Sequence, residues 1–139
     1  MKIRHLFIFV MALAIAALGT SCNKNSEKNF YGKWDLSQVQ YRDTDNEDWS
    51  DTITTEDENV SIEFQSDGTY SIYKDGAVEE TGRWDYHDDY LYLRSEITVK
   101  NYSVEKCTKK EMEWYSRNEM WDEGQLNFWR EQRWIWTKN

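Results

Sequence analysis

The pattern of apolar and polar residues from Phe30 onwards has a period of two, in short segments separated by turn residues. In the clearest segment, 60–65, apolar and polar side chains alternate, which places one face in a core and the other in water. Asp67-Gly68 follows it, and a second Asp-Gly ends the next segment, 70–73. Asp-Gly favours tight turns because glycine readily takes a positive φ. The pattern therefore predicts strands joined by hairpin turns.

Across the whole domain, the same pattern predicts eight strands. They span 33–42, 60–65, 70–73, 80–86, 90–94, 97–107, 111–117 and 125–137. No helical stretch of 10–15 residues separates them, which argues against a parallel βαβ fold, and the absence of proline is compatible with strands paired on both sides. The stretch 109–122 also permits a helix, through Met112, Tyr115 and Glu119, but we adopt the strand interpretation there. We expect an all-β fold.

A four-residue pattern occurs twice, as Gly32-Lys33-Trp34-Asp35 and as Gly82-Arg83-Trp84-Asp85. Glycine weakens a strand unless a bend or a close approach requires the missing Cβ. The tryptophan two places on lies on the same face and can cover the gap. Such glycines are typical of the corners of a closing barrel. The alternative is chance recurrence in a tryptophan-rich chain.

The first 21 residues have a different pattern, in which Lys2 and Arg4 precede an apolar run from 6 to 18. This is the layout of an export signal, and the run is shorter than the about 20 residues that a membrane-spanning helix needs. The residues Leu18-Gly19-Thr20-Ser21-Cys22 resemble the lipobox of bacterial lipoproteins, although Gly19 stands where a branched residue is usual. The alternative is a plain secreted protein.

The lipobox resemblance implies that residues 1–21 are removed and that Cys22 is lipidated. Two or more acyl chains, at about 0.8 kcal/mol per buried CH₂, would hold the protein on a membrane. Residues 22–29 are polar and predict a flexible tether, which leaves 30–139 as a single domain. Because Asn23 rather than aspartate follows the cysteine, the resemblance implies the outer membrane of the cell envelope, with the leaflet undetermined.

The net charge of −9 argues against nucleic-acid binding and against electrostatic adhesion to anionic lipid. With Cys22 lipidated, Cys107 has no partner for a disulfide within the chain, and we expect it to be a buried, inert thiol. Eight tryptophans can provide a sufficient core without such a bond.

Five short motifs follow one another along the domain: Gly32-Lys33-Trp34, Phe64-Gln65-Ser66-Asp67-Gly68-Thr69-Tyr70, Gly82-Arg83-Trp84, Tyr90-Leu91-Tyr92-Leu93 and Thr108-Lys109-Lys110-Glu111-Met112-Glu113-Trp114. In this order and spacing they resemble the lipocalin-like domains of small Gram-negative lipoproteins. The resemblance implies an eight-stranded antiparallel up-and-down barrel, whose interior holds at most one small apolar ligand. It also implies a structural arginine over the ring of Trp34, for which Arg130 and Arg133 are the candidates.

The candidate ligand-contacting residues are the apolar positions that alternation places inside the barrel. Besides Trp34 they are Phe64, Tyr70, Ile72, Trp84, Met112 and Trp114. These side chains either fill the barrel or line a pocket, and we favour filling. Three further tryptophans, Trp129, Trp134 and Trp136, lie close together near the end of the chain. They would either stack on a sugar or partner surface or pack at one end of the barrel.

Other chemistry finds little support in the sequence. The acidic loop 43–58 fails the EF-hand pattern, because Asp48 occupies the glycine position and Thr54 the glutamate position. We interpret it as a solvated loop. His87 is the only histidine after residue 21 and lies in a predicted turn, so we expect it to be exposed and not a general base. Without clustered histidine or cysteine we expect no metal, no cofactor and no catalysis.

The sequence therefore predicts a non-catalytic envelope lipoprotein that is anchored through Cys22 and binds a small apolar or amphipathic molecule in its barrel. The alternative is an acidic interaction or inhibitor protein. Its packed barrel would engage a basic macromolecule through the outer surface.

Overall fold

The computed structural model describes residues 26–51 and 57–139. After a 3-10 turn at Glu27–Asn29 come nine strands: β1 Gly32–Asp43, β2 Ser50–Asp51, β3 Val60–Phe64, β4 Thr69–Lys74, β5 Ala77–His87, β6 Tyr90–Arg94, β7 Val99–Cys107, β8 Glu111–Asp122 and β9 Gln125–Lys138. In this part of the chain no helix is long and apolar enough to cross a membrane. The predicted signal segment, Cys22 and residues 23–25 of the predicted tether lie outside the described residues.

The strands form a closed antiparallel barrel, as the sequence predicts. From β3 to β9 each strand pairs with the next, and β1 pairs with both β3 and β9 to complete the circuit of eight strands. The ninth strand, β2, is a two-residue addition that pairs with Gln40 and Tyr41 of β1. Of the stretch for which a helix is the alternative, residues 111–122 form the single strand β8, and Lys109 and Lys110 lie in the turn before it.

One end of the barrel, which we call the closed end, is plugged by aromatic side chains. The completely buried ring of Phe30 lies 5.6 Å from those of Phe64 and Trp84 and 4.8 Å from that of Tyr86, measured between centroids. The indole N–H of Trp34 donates to the carbonyl of Phe30 at 2.8 Å, which fixes the plug to β1. Burial of these rings provides the largest part of the core at this end.

At the other end, which we call the open end, the strands separate. Pairing between β7 and β8 reaches only from Cys107↔Met112 to Ser103↔Tyr115. Strands β8 and β9 continue beyond that point as a hairpin, which we call the arm (residues 116–128). Residues 119–127 are exposed, so the arm projects past the barrel wall.

The repeated glycines have the role that the sequence suggests. A Cβ on Gly82 would lie 2.2 Å from the carbonyl oxygen of Arg94 and 2.8 Å from a ring carbon of Tyr70. Gly32 has φ +110°, which L-residues rarely adopt. Gly82 is therefore required for a close approach of backbones, and Gly32 for a bend at the start of β1.

The expectation of an arginine over Trp34 is wrong. The cation over this ring is Lys138, whose Nζ lies 4.5 Å from the ring centroid and also donates to the carbonyl of Tyr31. The register decides this, because Lys138 is opposite Trp34, whereas Arg133 and Arg130 are opposite Gln40 and Asp43, farther along β1. Arg133 instead lies 4.4 Å from the ring centroid of Trp49, and Arg130 lies 3.7 Å from the carboxylate of Asp43.

Candidate functional site

The barrel contains a small cavity towards its open end. Its volume is about 120 Å³, and its lining is mostly apolar, with contributions from Leu36, Asp57, Val60, Ile62, Ile72, Leu93, Lys100, Tyr102, Trp114, Trp134 and Trp136. Ligand pockets usually measure about 300–1,000 Å³. The interior is therefore mainly filled, and the cavity has room for only a few atoms.

Two tryptophans that line this cavity have unsatisfied polar groups. Trp114 is 3% exposed and Trp136 is 4% exposed, and the indole N–H of each is buried with no hydrogen-bond partner in the described structure. By contrast, the indole of Trp34 bonds to Phe30, and that of Trp84 donates to the carbonyl of Gln65 at 3.0 Å. A buried N–H without an acceptor costs about 1–3 kcal/mol. Two such groups on residues that line one cavity make it a candidate place for an acceptor.

The wall of the cavity is held in place by stacked rings. The centroids of Trp114 and Trp136 are 4.8 Å apart, and Tyr102 lies 5.0 Å from Trp114 in a nearly parallel arrangement. Tyr102 also meets Trp134 edge-on at 5.0 Å. Such ring pairs are worth about 0.5–1.5 kcal/mol beyond the area that they bury. The positions of the two indole N–H groups are therefore fixed by packing.

Polar groups at the cavity are few. Burial, reinforced by the charge of Glu80, raises the pKa of Tyr102 to about 12, so its hydroxyl stays protonated at neutral pH. The carboxylate of Asp57 accepts a hydrogen bond from the hydroxyl of Tyr41 at 3.1 Å. Lys100 is exposed, which places one positive charge at the rim. The site thus combines an apolar wall with several donors and the carboxylate of Asp57.

The sequence-predicted ligand residues divide into two groups. Trp114 and the half-buried Ile72 line the cavity, whereas Phe64, Tyr70, Trp84 and Met112 are buried in the filled core. Trp34, which we expected to face inwards, is completely buried in the same core.

The three late tryptophans do not form a single surface. Trp134 and Trp136 face the cavity, whereas Trp129 lies on the opposite face of β9, under the guanidinium of Arg117 at 4.9 Å. Two positions apart on one strand, Trp134 and Trp136 necessarily share a face, and that spacing is the signal by which the sequence could have assigned them to the interior. Tyr102 was also missed, although it shares a face of β7 with the buried Val104.

The remaining candidates show no convergent chemistry. His87 is exposed, with its Nδ1 3.0 Å from the carboxylate of Asp85 and its ring stacked on Tyr92. Cys107 is a free, fully buried thiol whose pKa burial raises to about 12, so it stays protonated. Within 26–51 and 57–139, no group of three or more acidic, histidine or cysteine side chains could hold a metal ion. Residues 52–56 of the acidic loop lie outside the described structure.

Comparison with known proteins does not place the chain in a family. No protein-family model matches the chain, and a search of curated proteins found no match.

Proposed function

We propose that this protein is a lipid-anchored binding protein of the cell envelope that holds a small amphipathic molecule without altering it. The observation that carries the proposal is the pair of buried, unpartnered indole N–H groups of Trp114 and Trp136, two residues that line the apolar cavity. An acceptor oxygen of a ligand would satisfy one or both of them. Apolar atoms next to that oxygen would contact the surrounding rings.

The size of the cavity limits how the ligand binds. A volume of about 120 Å³ accepts only a short polar end with a few attached carbons. The rest of the molecule would extend through the open end of the barrel. A short-chain carboxylate fits this description, because its oxygens accept hydrogen bonds, which are roughly twice as strong when the acceptor is charged.

Hexanoate is a suitable probe, with hexylamine as the matched molecule that lacks an acceptor. In the full chain labelled with ¹⁵N at its indoles, we expect hexanoate to shift the N–H resonances of Trp114 and Trp136, and hexylamine to leave them in place. Trp136→Phe keeps an aromatic ring but removes one donor, so it should weaken hexanoate binding about tenfold, which corresponds to 1.4 kcal/mol.

Trp121→Phe is the matched control, since Trp121 is exposed on the arm and its indole already donates to Glu119. It should bind hexanoate like the unchanged protein. Indole resonances that do not move, or equal affinity of Trp136→Phe and Trp121→Phe, would contradict the proposal.

Anchoring is the second part of the proposal and rests on the sequence around Cys22. With the thiol replaced in Cys22→Ser, acyl chains cannot be attached, so we expect the protein to leave the membrane fraction. Retention of this variant in membranes would show that a different segment anchors the chain.

A further inference from the structure

The first half of β5 is an unpaired strand edge in the barrel wall. Residues 77, 78 and 80–82 pair with β4, with Glu79 as the extra residue of a bulge, but pairing with β6 begins only at Arg83↔Arg94. Six residues of a strand extend over about 20 Å. Exposed edges present free N–H and C=O groups to any added strand, and proteins usually cover or block them.

A surface groove runs along this edge. Its volume is about 780 Å³, and its far side is the loop at Ser95, Glu96 and Ile97, which Ser95 closes by donating its N–H to the carbonyl of Thr98 at 2.9 Å. At Gly82 the backbone of β6 lies close to β5, since a Cβ there would be 2.2 Å from the carbonyl oxygen of Arg94. The groove has room for one further extended chain beside β5.

The backbone direction of β5 shows which groups face the groove. The N–H of Trp84 donates to the carbonyl of Gly68 across the β4 side of the strand. Because successive residues of a strand alternate in direction, the N–H and C=O of Thr81 point to the opposite side, where β6 is missing. Thr81 therefore offers one donor and one acceptor to an added strand.

The charges along the groove select the occupant. Glu79 and Glu96 line its outer part, and neither has a cation within 4.0 Å among the residues that the structure describes. A second copy of this chain would bring its own Glu79 and Glu80 to the same edge, and like charges opposite each other destabilise a pair of strands. Arg83 and Arg94 line the inner part, where β5 and β6 form the first pair of their ladder.

We propose that the edge of β5 binds an extended segment of a partner protein as an added antiparallel strand, with basic side chains beside Glu79 and Glu96 and an acidic one beside Arg83 and Arg94. The exposed side chain of Ile97 lines the groove, the exposed Val78 precedes Glu79 on β5, and both contact apolar side chains of that segment. This mode of binding takes affinity from main-chain hydrogen bonds and specificity from alternate side chains. It is independent of the cavity inside the barrel.

The probe is a fluorescent peptide, Asp-Val-Thr-Val-Lys-Val-Lys, whose binding to the full chain is followed by anisotropy. We expect it to bind at least tenfold more tightly than Asp-Val-Thr-Val-Glu-Val-Glu, and more weakly as salt is added. A version methylated at alternate amide nitrogens, on the side that faces β5, should lose binding because it cannot complete the ladder.

Two kinds of variant test the main-chain hydrogen bonds and the charges of the groove separately. Thr81→Pro removes the free donor and should abolish peptide binding, whereas Thr81→Ala keeps the donor and should preserve it. The double variant Glu79→Lys with Glu96→Lys should reverse the preference of the groove in favour of the acidic peptide, and this result does not depend on the proline variant folding. Binding that ignores both Thr81→Pro and the charge reversal would overturn the proposal.

Discussion

Glycine is required at position 82 because there is no space for a side chain, and not because of the backbone conformation. Its Cβ would meet the carbonyl oxygen of Arg94 at 2.2 Å, and backbone atoms in a paired strand cannot easily move away. Gly124, in the turn of the arm, is a different case, because a Cβ there meets nothing within 4 Å and only its φ of +78° disfavours another residue. The two positions separate steric from conformational requirements.

Gly82→Ala should lower the free energy of unfolding by about 3 kcal/mol, at the upper end of the usual cost of overpacking. Gly124→Ala should cost about 1 kcal/mol, through its left-handed backbone alone. Urea denaturation of the two variants measures both values. A cost for Gly82→Ala no larger than for Gly124→Ala would show that β5 and β6 can separate without penalty.

Glu131 is the one buried charged residue among the core positions that the structure describes. On the outer face of the sheet it lies directly opposite Arg42 of β1 and Arg117 of β8. Its two carboxylate oxygens bond to Arg42 at 2.5 Å and to Arg117 at 2.8 Å. Burial alone would raise the pKa of Glu131, but hydrogen bonds from Arg42, Tyr115 and Arg117 outweigh it and lower the pKa below 4.5.

The lowered pKa fixes the sign of a pH effect. Because folded Glu131 releases its proton more readily than the unfolded chain, its stabilisation is complete above the usual pKa of 4.5 and is lost as the pH falls through the lower, folded value. At neutral pH, Glu131→Gln should cost about 2 kcal/mol, because two arginines lose their buried partner. Below pH 4.5 the difference from the unchanged protein should shrink.

Denaturant titrations across this pH range measure the effect. Glu119→Gln is the control, since it removes a carboxylate that bonds to the same Arg117 in a more exposed pair. Such a pair is worth about 1 kcal/mol or less. If Glu131→Gln were no more costly than Glu119→Gln, the buried trio would contribute nothing beyond a surface contact.

At the scale of elements, the alternation of apolar and polar residues and the Asp-Gly turns are sufficient to predict most strands of the barrel. The Asp75-Gly76 turn has positive φ at both residues, +52° and +81°, as the sequence predicts. Strand β8 was predicted to end at Arg117 but continues to Asp122. The continuation lies in the arm, where both faces are exposed, so burial imposes no alternation for the sequence to show.

The cavity depends on features that alternation cannot supply. A bulge between Leu36 and Gln38 of β1 inserts one residue, so that Leu36 and the fully buried Val39 both face inwards although they are three positions apart. The register of β9 is also not determined by the sequence alone. For this reason the predicted cation over Trp34 is an arginine, whereas the structure has Lys138 there. Whether an indole N–H finds an acceptor depends on atoms from several strands, which no local pattern records.

At the scale of the whole molecule, the two ends of the barrel differ in their distance from the predicted anchor. Cys22 precedes Ser26, the first described residue, by four positions, which span at most about 14 Å. The 3-10 turn then leads directly into the closed end. Strand β9 has 14 residues and so extends over about 45 Å towards the open end and the arm.

If Cys22 carries the lipid, as we propose, the closed end faces the membrane, and the cavity and the β5 groove face away from it. This orientation predicts different energy transfer from two labelled positions to acceptor dyes in the lipid. A dye on Lys110→Cys, in the turn before β8 at the closed end, should transfer strongly, and one on Glu123→Cys, at the tip of the arm, should transfer weakly.

Buried Cys107, with its raised pKa of about 12, should not react with the dye, so the unsubstituted protein serves as the labelling control. Adding Cys22→Ser should abolish transfer from both positions, whereas equal transfer from both in the anchored protein would show that the barrel lies on its side.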